Sequence, residues 1–186
     1  MLKFVAKDGS EFTLREPKIG DAKACLDYIN ELVKEGAPII INKIATLKEE
    51  RKWLRRQIND IKKGLNITLV AEKNGEIISI CQLWRRKYRM SHVADFGIGV
   101  KKKYRRMSIA ETISREVLRR AKEKGIEIVR SWVFEDNEPS IALHRKLGFV
   151  QDAILEDEIK EGRNYKNGFL MSLYLKRPVP RTYHGG

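Results

Sequence analysis

Two groups of residues could carry chemistry. The basic run Lys101-Lys102-Lys103-Tyr104-Arg105-Arg106 lies between a strand pattern ending at Val100 and a helix pattern beginning near Ser108. At such a junction the free backbone N–H groups and the positive end of the helix dipole point the same way, so Arg105, Arg106, Met107, Ser108, Ile109 and Ala110 make a natural phosphate seat. The dipole alone is worth ~0.3–1 kcal/mol. Charge-assisted hydrogen bonds of ~1.5–3 kcal/mol each must therefore supply most of a pyrophosphate's binding, and Lys101 to Arg106 can supply them. The second group is the segment from Asn137 to Phe149, a short helix with Asn137 as its cap, His144 and Lys146 near its end and Gly148 as its stop. His92, His144 and His184 are not spaced to share a metal, so none is expected. Cys25 and Cys81 have no CxxC spacing and no neighbouring His, and read as buried thiols of a reducing compartment.

Length and composition frame these groups. At 186 residues and 42% hydrophobic, the chain fills one core, and one domain is expected over residues 1–177 with a flexible tail at 178–186. A net charge of +13 asks for an anionic partner: nucleic acid, a membrane face, an acidic protein or a phosphorylated cofactor. The runs Arg85-Arg86-Lys87-Tyr88-Arg89 and Arg51-Lys52 with Arg55-Arg56 read as solvated faces. No run of ~18 apolar residues occurs and the first residues are charged, so a soluble, cytoplasmic protein with no membrane association is expected.

The elements that must position these residues follow from periodicity. Residues 11–15 alternate as a strand and end at Pro17. Asp21 starts a helix whose stripe is Ala22, Cys25, Leu26, Ile29, Leu32 and Val33; a second runs from about Leu47 to Lys63 with Thr46 as its N-cap. Residues 66–71 and 77–84 pair through Asn74-Gly75, a dipeptide suited to the positive φ angles of a tight hairpin. The strand from His92 to Val100, a helix from about Ser108 to Lys124 and the strand from Glu127 to Phe134 form a unit that crosses over right-handed and is parallel. After the short helix at Asn137, strands run from Phe149 to about Ile159 and from Asn167 to Leu175, turning near Glu161-Gly162. This order predicts a mixed α/β domain, with a twisted, mostly antiparallel central sheet of about seven strands flanked by about four helices.

The string Asn137-Glu138-Pro139-Ser140-Ile141-Ala142-Leu143-His144-Arg145-Lys146-Leu147-Gly148-Phe149 resembles the signature of the Gcn5-related N-acetyltransferases, N-x-x-[SA]-x-x-L-[YH]-x-K-x-G-F. Upstream, Gly97-Ile98-Gly99-Val100 with Tyr104 to Ala110 is similar to that family's acyl-CoA motif, a strand ending in G-I-x-V followed by [QR]-x-x-G-x-[GA]. The element order agrees over about residues 11 to 175. The resemblance implies a splayed parallel pair in the middle of the sheet, with acetyl-CoA as co-substrate. Its pantetheine arm would pair with the backbone of Ile98 and Val100 along Gly99, and its pyrophosphate would sit on the amides of Arg105 to Ala110. Asn137 and Lys146 would reach the cofactor. His144 would take the place of the family's Tyr, which protonates the departing thiolate; an imidazolium with a pKa near ~6.5 is acid enough for that. Asp95, where relatives often have Glu, would be the base acting through water, or else pair with a neighbouring Arg or Lys. His144 as a helix-face residue and Asn137 as a cap are the corresponding structural roles.

Two departures concern the turn: Ser108 and Arg106 stand where the family has glycine, which predicts ordinary helical angles there, since positive φ costs a non-glycine residue ~1 kcal/mol or more. A third is Trp132, where some ribosomal-protein acetyltransferases carry a catalytic Glu. The activity implied is transfer of an acetyl group from acetyl-CoA to a primary amine by direct attack, in a monomer or homodimer. The acids Glu31, Glu35, Glu49, Glu50, Glu156, Asp157, Glu158 and Glu161, with Asn30, favour a cationic acceptor such as a polyamine, a lysine side chain or a peptide N-terminus. A catalytically weak acyl-CoA sensor is the alternative. A nucleic-acid-binding protein is a remote one, because it gives the signature at Asn137 no reason to exist.

Overall fold

A computed structural model describes residues 2–176. The expected tail at 178–186, and His184 within it, lie outside the described residues. The strands are β1 (Leu2–Val5), β2 (Glu11–Arg15), β3 (Asn66–Lys73), β4 (Glu76–Arg85), β5 (Val93–Val100), β6 (Ile128–Phe134), β7 (Val150–Glu161) and β8 (Asn164–Tyr174). The helices are α1 (Ala22–Lys34), α2 (Leu47–Lys62), α3 (Ile109–Glu123) and α4 (Glu138–Lys146). Eight strands stand where about seven were expected. The additional one, β1, is an edge strand whose side chains are exposed or half-buried throughout, so it carries no alternation for the sequence to reveal. No helix among the described residues is long and apolar enough to cross a membrane.

The described residues divide into two compact units, 2–84 with Ile98–Arg120, and Arg85–Gly97 with 121–176, so that β5 contributes its end to the first and its beginning to the second. In the first unit β1 to β4 form an antiparallel meander, with Phe4↔Phe12, Leu14↔Ala71 and Leu69↔Cys81 as register pairs. Asn74 at φ 51 and Gly75 at φ 79 make the predicted tight turn between β3 and β4. The stripe of α1 buries Cys25, Tyr28 and Leu32 against Val70, Ile77 and Ile80. Thr46 and Glu49 cap α2 reciprocally, each side chain bonding the other's backbone N–H. Ile109, Ile113 and Val117 are the buried stripe of α3.

In the second unit the β5–β6 ladder is parallel, as the strand–helix–strand order requires, and three pairs long: Val93↔Ile128, Ala94↔Val129 and Asp95↔Arg130. β6 continues to Phe134 in an antiparallel ladder with β8, and β7 pairs with β8 around Gly162 at φ 64. Below α4 the core is aromatic, with Phe96, Phe149 and the His144 ring in mutual contact at centroid distances of 5.0–5.7 Å.

Candidate functional site

The predicted residues fall into one group per unit. In the first, Ile98, Gly99 and Val100 end β5 and lead through a short turn to Arg105–Ala110. The Lys101 amide donates to Ile78 O at 3.0 Å, which points residue 101 toward β4. By strand alternation the amides and carbonyls of Ile98 and Val100 lie on the opposite edge.

The turn itself departs from expectation. Arg106 has φ 63 and Ser108 φ 64, so both keep the left-handed conformation of the glycines they replace, and ordinary helical angles do not occur there. The conformation costs each residue ~1–2 kcal/mol, well within what a fixed turn can sustain. Lys7 N–H, donating to Met107 O at 3.3 Å, ties the turn to the strand layer. The Ser108 carbonyl opens α3 by accepting from Thr112 N–H and Thr112 Oγ1–H, both at 3.0 Å. The amides of Arg106, Met107, Ser108, Ile109 and Ala110 have no acceptor among the described residues. Left-handed residues flank Met107 at a helix N-terminus, an arrangement of consecutive N–H groups that suits an anion.

The side-chain cations are less available than their number suggests. Lys101 is buried, bridging Glu31 and Glu76 at 2.8 Å each. Lys103 and the Tyr104 hydroxyl also bond Glu76. Burial pushes the Glu76 carboxyl up, but these hydrogen bonds outweigh it and hold the pKa at about 2. Arg105 pairs with Glu35 and donates to Val100 O at 3.0 Å. The acids expected to attract a cationic acceptor are thus partly consumed: Glu31, Glu35 and Glu49 serve loop or cap, and Asn30 bonds the backbone of Ala45 at both its amide atoms. Glu50 is buried, and burial raises its pKa to about 7.

Gly99 meets a second constraint. A Cβ there would overlap the Tyr28 hydroxyl and approach Leu32 Cδ1 to 3.2 Å, so α1 lies directly on the backbone of β5 at this point. Tyr28, buried on α1, was neither among the predicted site residues nor in the stripe read for that helix, and nothing in spacing pairs it with Gly99.

In the second unit His144 is 2% exposed. Its Nδ1 lies 2.7 Å from Ser140 O, an oxygen that can only accept, so Nδ1 carries a proton. Nε2 then faces Ser131 Oγ at 2.9 Å and accepts from it in the neutral ring. Burial lowers the His144 pKa, and the Ser140 carbonyl offsets only part of this. Asn137 caps α4 through Oδ1, accepting from Ser140 N at 3.3 Å. Lys146 lies exposed in the last turn of α4.

Asp95 occupies the other face of β5 from Phe96 and therefore from His144. Its carboxylate accepts three hydrogen bonds from Arg86, the shortest 2.6 Å, realising the pairing left open by the sequence. The Arg86 guanidinium also lies over the ring of Trp132, 5.9 Å from its centroid, and Trp132 is 42% exposed. Ser131 and Arg86 are partners the sequence did not nominate. Strand alternation predicts that Ser131 points inward, but which helix residue it meets depends on tertiary packing.

Both cysteines are buried free thiols, and burial pushes Cys25 up to about 12 and Cys81 higher still, so neither is a ready nucleophile. Among the described residues no group of three or more His, Cys, Asp or Glu could hold a metal ion.

Comparison with known proteins adds three findings. Residues 30–149, well over half of the chain, match the model of the acetyltransferase (GNAT) family. An L-amino acid N-acetyltransferase of Escherichia coli (strain K12) is 31% identical over 83 residues, a match spanning 44% of this chain and 51%, about half, of that relative. Among solved structures, an N-acetyltransferase from Staphylococcus aureus Mu50 superposes with a TM-score of 0.80 at 21% identity, over 90% of this chain and 100% of that one. A putative acetyltransferase from Salmonella typhimurium, solved with its cofactor acetyl-CoA, gives 0.79 at 18% identity over 92% and 98%. At these identities the structural likeness establishes the fold.

Proposed function

We propose, from the premise that this chain belongs to the acetyltransferase (GNAT) family, that it transfers the acetyl group of acetyl-CoA to a primary amine by direct attack. The observation that carries the reading is the run of five unpaired amides from Arg106 to Ala110, curled by left-handed backbone at Arg106 and Ser108. Main-chain donors in that arrangement suit a pyrophosphate, and they serve it without the side-chain cations already committed to Glu31, Glu35 and Glu76. The edge of β5 bearing Ile98 and Val100 would bind the pantetheine arm as an added strand. Asn137 and Lys146 would complete its contacts. Acetyl-CoA is the cofactor held by the solved acetyltransferase from Salmonella typhimurium, and its binding here is part of the proposal.

In the reaction the amine nitrogen bonds the thioester carbonyl carbon, the C–S bond breaks, and the sulfur leaves with the electron pair. Asp95 is the proposed acceptor of the amine's proton through water, with Arg86 fixing its orientation. His144 is the proposed source of the proton on sulfur in its imidazolium form, which gives up the Nε2 proton and returns to the neutral ring with Nδ1–H on Ser140 O. With Nδ1 committed to Ser140 O, exchange is confined to Nε2, so the proton would pass through Ser131 Oγ.

The paired and buried state of His144 favours a second reading, an acyl-CoA sensor without turnover. Following free thiol while acetyl-CoA is mixed with a panel of amines separates them: amine-dependent thiol release supports transfer, whereas tight binding of acetyl-CoA with no release favours the sensor. Absence of both overturns each.

A further inference from the structure

The turn between β4 and β5 carries four consecutive exposed residues, Lys87, Tyr88, Arg89 and Met90. Tyr88 is 89% exposed, more than any other large hydrophobic side chain among the described residues, and its backbone is left-handed at φ 57. For a bulky residue that conformation is an outlier, and such outliers persist only where their surroundings fix them. Hydrogen bonds within the turn do so. Met90 N–H donates to Lys87 O at 3.2 Å, Ser91 N–H to Tyr88 O at 3.0 Å, Arg86 N–H to Val93 O at 2.9 Å and Arg85 Nε–H to Ser91 O at 2.6 Å. The turn is therefore pinned, and it holds in water an aromatic ring that the hydrophobic effect alone would bury.

Charge surrounds that ring. Lys87 and Arg89 flank it and, unlike Lys101 and Arg105, enter no ion pair among the described residues. Two residues before Tyr88, Arg86 lies over the ring of Trp132, 5.9 Å from its centroid, and Trp132 is 42% exposed. A spacing of ~3.8 Å between consecutive Cα atoms keeps the backbones of Arg86 and Tyr88 within ~8 Å of one another. The second unit thus presents two exposed aromatic rings with cations between and beside them.

Three kinds of anionic partner could meet such a surface, and the residue types separate them. A bilayer interface asks for a larger apolar insertion than Met90 and one tyrosine supply. An acidic protein would pair with Lys87 and Arg89 but gives the exposed rings no task. A single-stranded nucleic acid uses both features, because cations meet its phosphates and its bases stack on aromatic faces whatever their sequence. We infer that Lys87, Tyr88 and Arg89, with Trp132 at the foot of the turn, bind single-stranded nucleic acid, a property separate from acetyl transfer.

The test is fluorescence anisotropy of a labelled oligothymidylate with the full chain over a series of salt concentrations. Duplex DNA, phosphatidylserine vesicles and polyglutamate serve as competitors. The strand should bind with an affinity that falls steeply with salt, and the competitors should displace it less well than unlabelled strand does. Loss of one stacked base in Tyr88→Ala should lower affinity roughly 5- to 150-fold, whereas Tyr88→Phe should stay near wild type. Trp132→Ala should lose affinity in the same range. Replacing Lys87 and Arg89 together by alanine should reduce the slope of log affinity against log salt by about 1.4, for two phosphates at ~0.7 each. The inference is overturned by absence of strand binding, by unchanged affinity in Tyr88→Ala or Trp132→Ala, by an unchanged slope, or by tighter binding of duplex, vesicles or polyglutamate. Each of those results leaves acetyl transfer standing.

Discussion

In the turn before α3 the polar groups without partners are main-chain amides, from Arg106 to Ala110, whereas in the pocket under α4 both nitrogens of the imidazole are paired and the ring is packed between Phe96 and Phe149. The turn holds strain in its backbone and leaves its donors open. The pocket holds a titratable group without open valence. A region built for binding keeps polar groups unsatisfied until a ligand arrives, and a region built for position satisfies them internally. Under the proposed function, this contrast would give anion recognition to the backbone of the turn and leave the His144 side chain, through Ser131, to orientation and proton supply.

The contrast is broken most severely by Ser108→Pro. Proline fixes φ near −65° where the chain needs 64°, and it deletes one of the open amides. The expected loss in affinity for CoA, read by titration calorimetry, is about 100-fold or more, from two charge-assisted hydrogen bonds of ~1.5–3 kcal/mol each. An unchanged affinity would remove the turn from the binding site. Gly99→Ala tests the close approach of α1 to β5. Overpacking costs ~1–3 kcal/mol, and thermal unfolding should shift down by about 2–10 °C. Adding Tyr28→Phe, which removes the overlapping hydroxyl, should recover part of that shift.

The His144 pocket is sharpened by pH. Because the folded-state pKa of His144 is lowered, the unfolded chain binds the proton first as pH falls below about 6.5. Its contribution is fully present above that pH and is lost progressively down to the lower folded value. Glu50, raised to about 7, acts in the opposite direction over an overlapping range, so the relevant quantity is the difference between wild type and His144→Phe. That difference should narrow as pH falls from 7 to 5 in denaturant titrations, while turnover drops and CoA affinity stays near wild type. A pH-independent difference would mean that the ring is not the neutral group described here. The smallest expected effect is that of Ser108→Gly. Relief of positive φ on a serine should stabilise by up to ~1 kcal/mol, less the added freedom of glycine in the unfolded chain, with little change in CoA binding.

The sequence made the framework legible where burial imposes a period. Thr46 as the N-cap of α2, the Asn74-Gly75 hairpin and the parallel β5–β6 pairing all appear as read, and of the stripe read for α1 Ala22, Cys25 and Leu32 are buried. It failed at β1, where an edge strand without a buried face has no period to show, although Asp8-Gly9, with Gly9 at φ 80, marks the hairpin that precedes β2. It also failed at Arg106 and Ser108. A local steric preference of ~1 kcal/mol predicted helical angles, and the tertiary tie from Lys7 to Met107 accompanies the opposite choice. At the site, the residue types and the loop–helix position were readable. The partners were not, because Arg86 on Asp95, Ser131 on His144 and the acids that occupy Lys101 and Arg105 are contacts between residues distant in the chain.

The central claim is that main-chain donors of one turn recognise a pyrophosphate. Comparing acetyl-CoA with acetyl-pantetheine, which keeps the thioester and lacks the pyrophosphate, tests it most directly by following the amide resonances of residues 106–110 during titration. The account predicts that acetyl-CoA binds at least ~100-fold more tightly and shifts those five amides to saturation, while acetyl-pantetheine leaves them in place. Equal affinities with the five amides unmoved would contradict it.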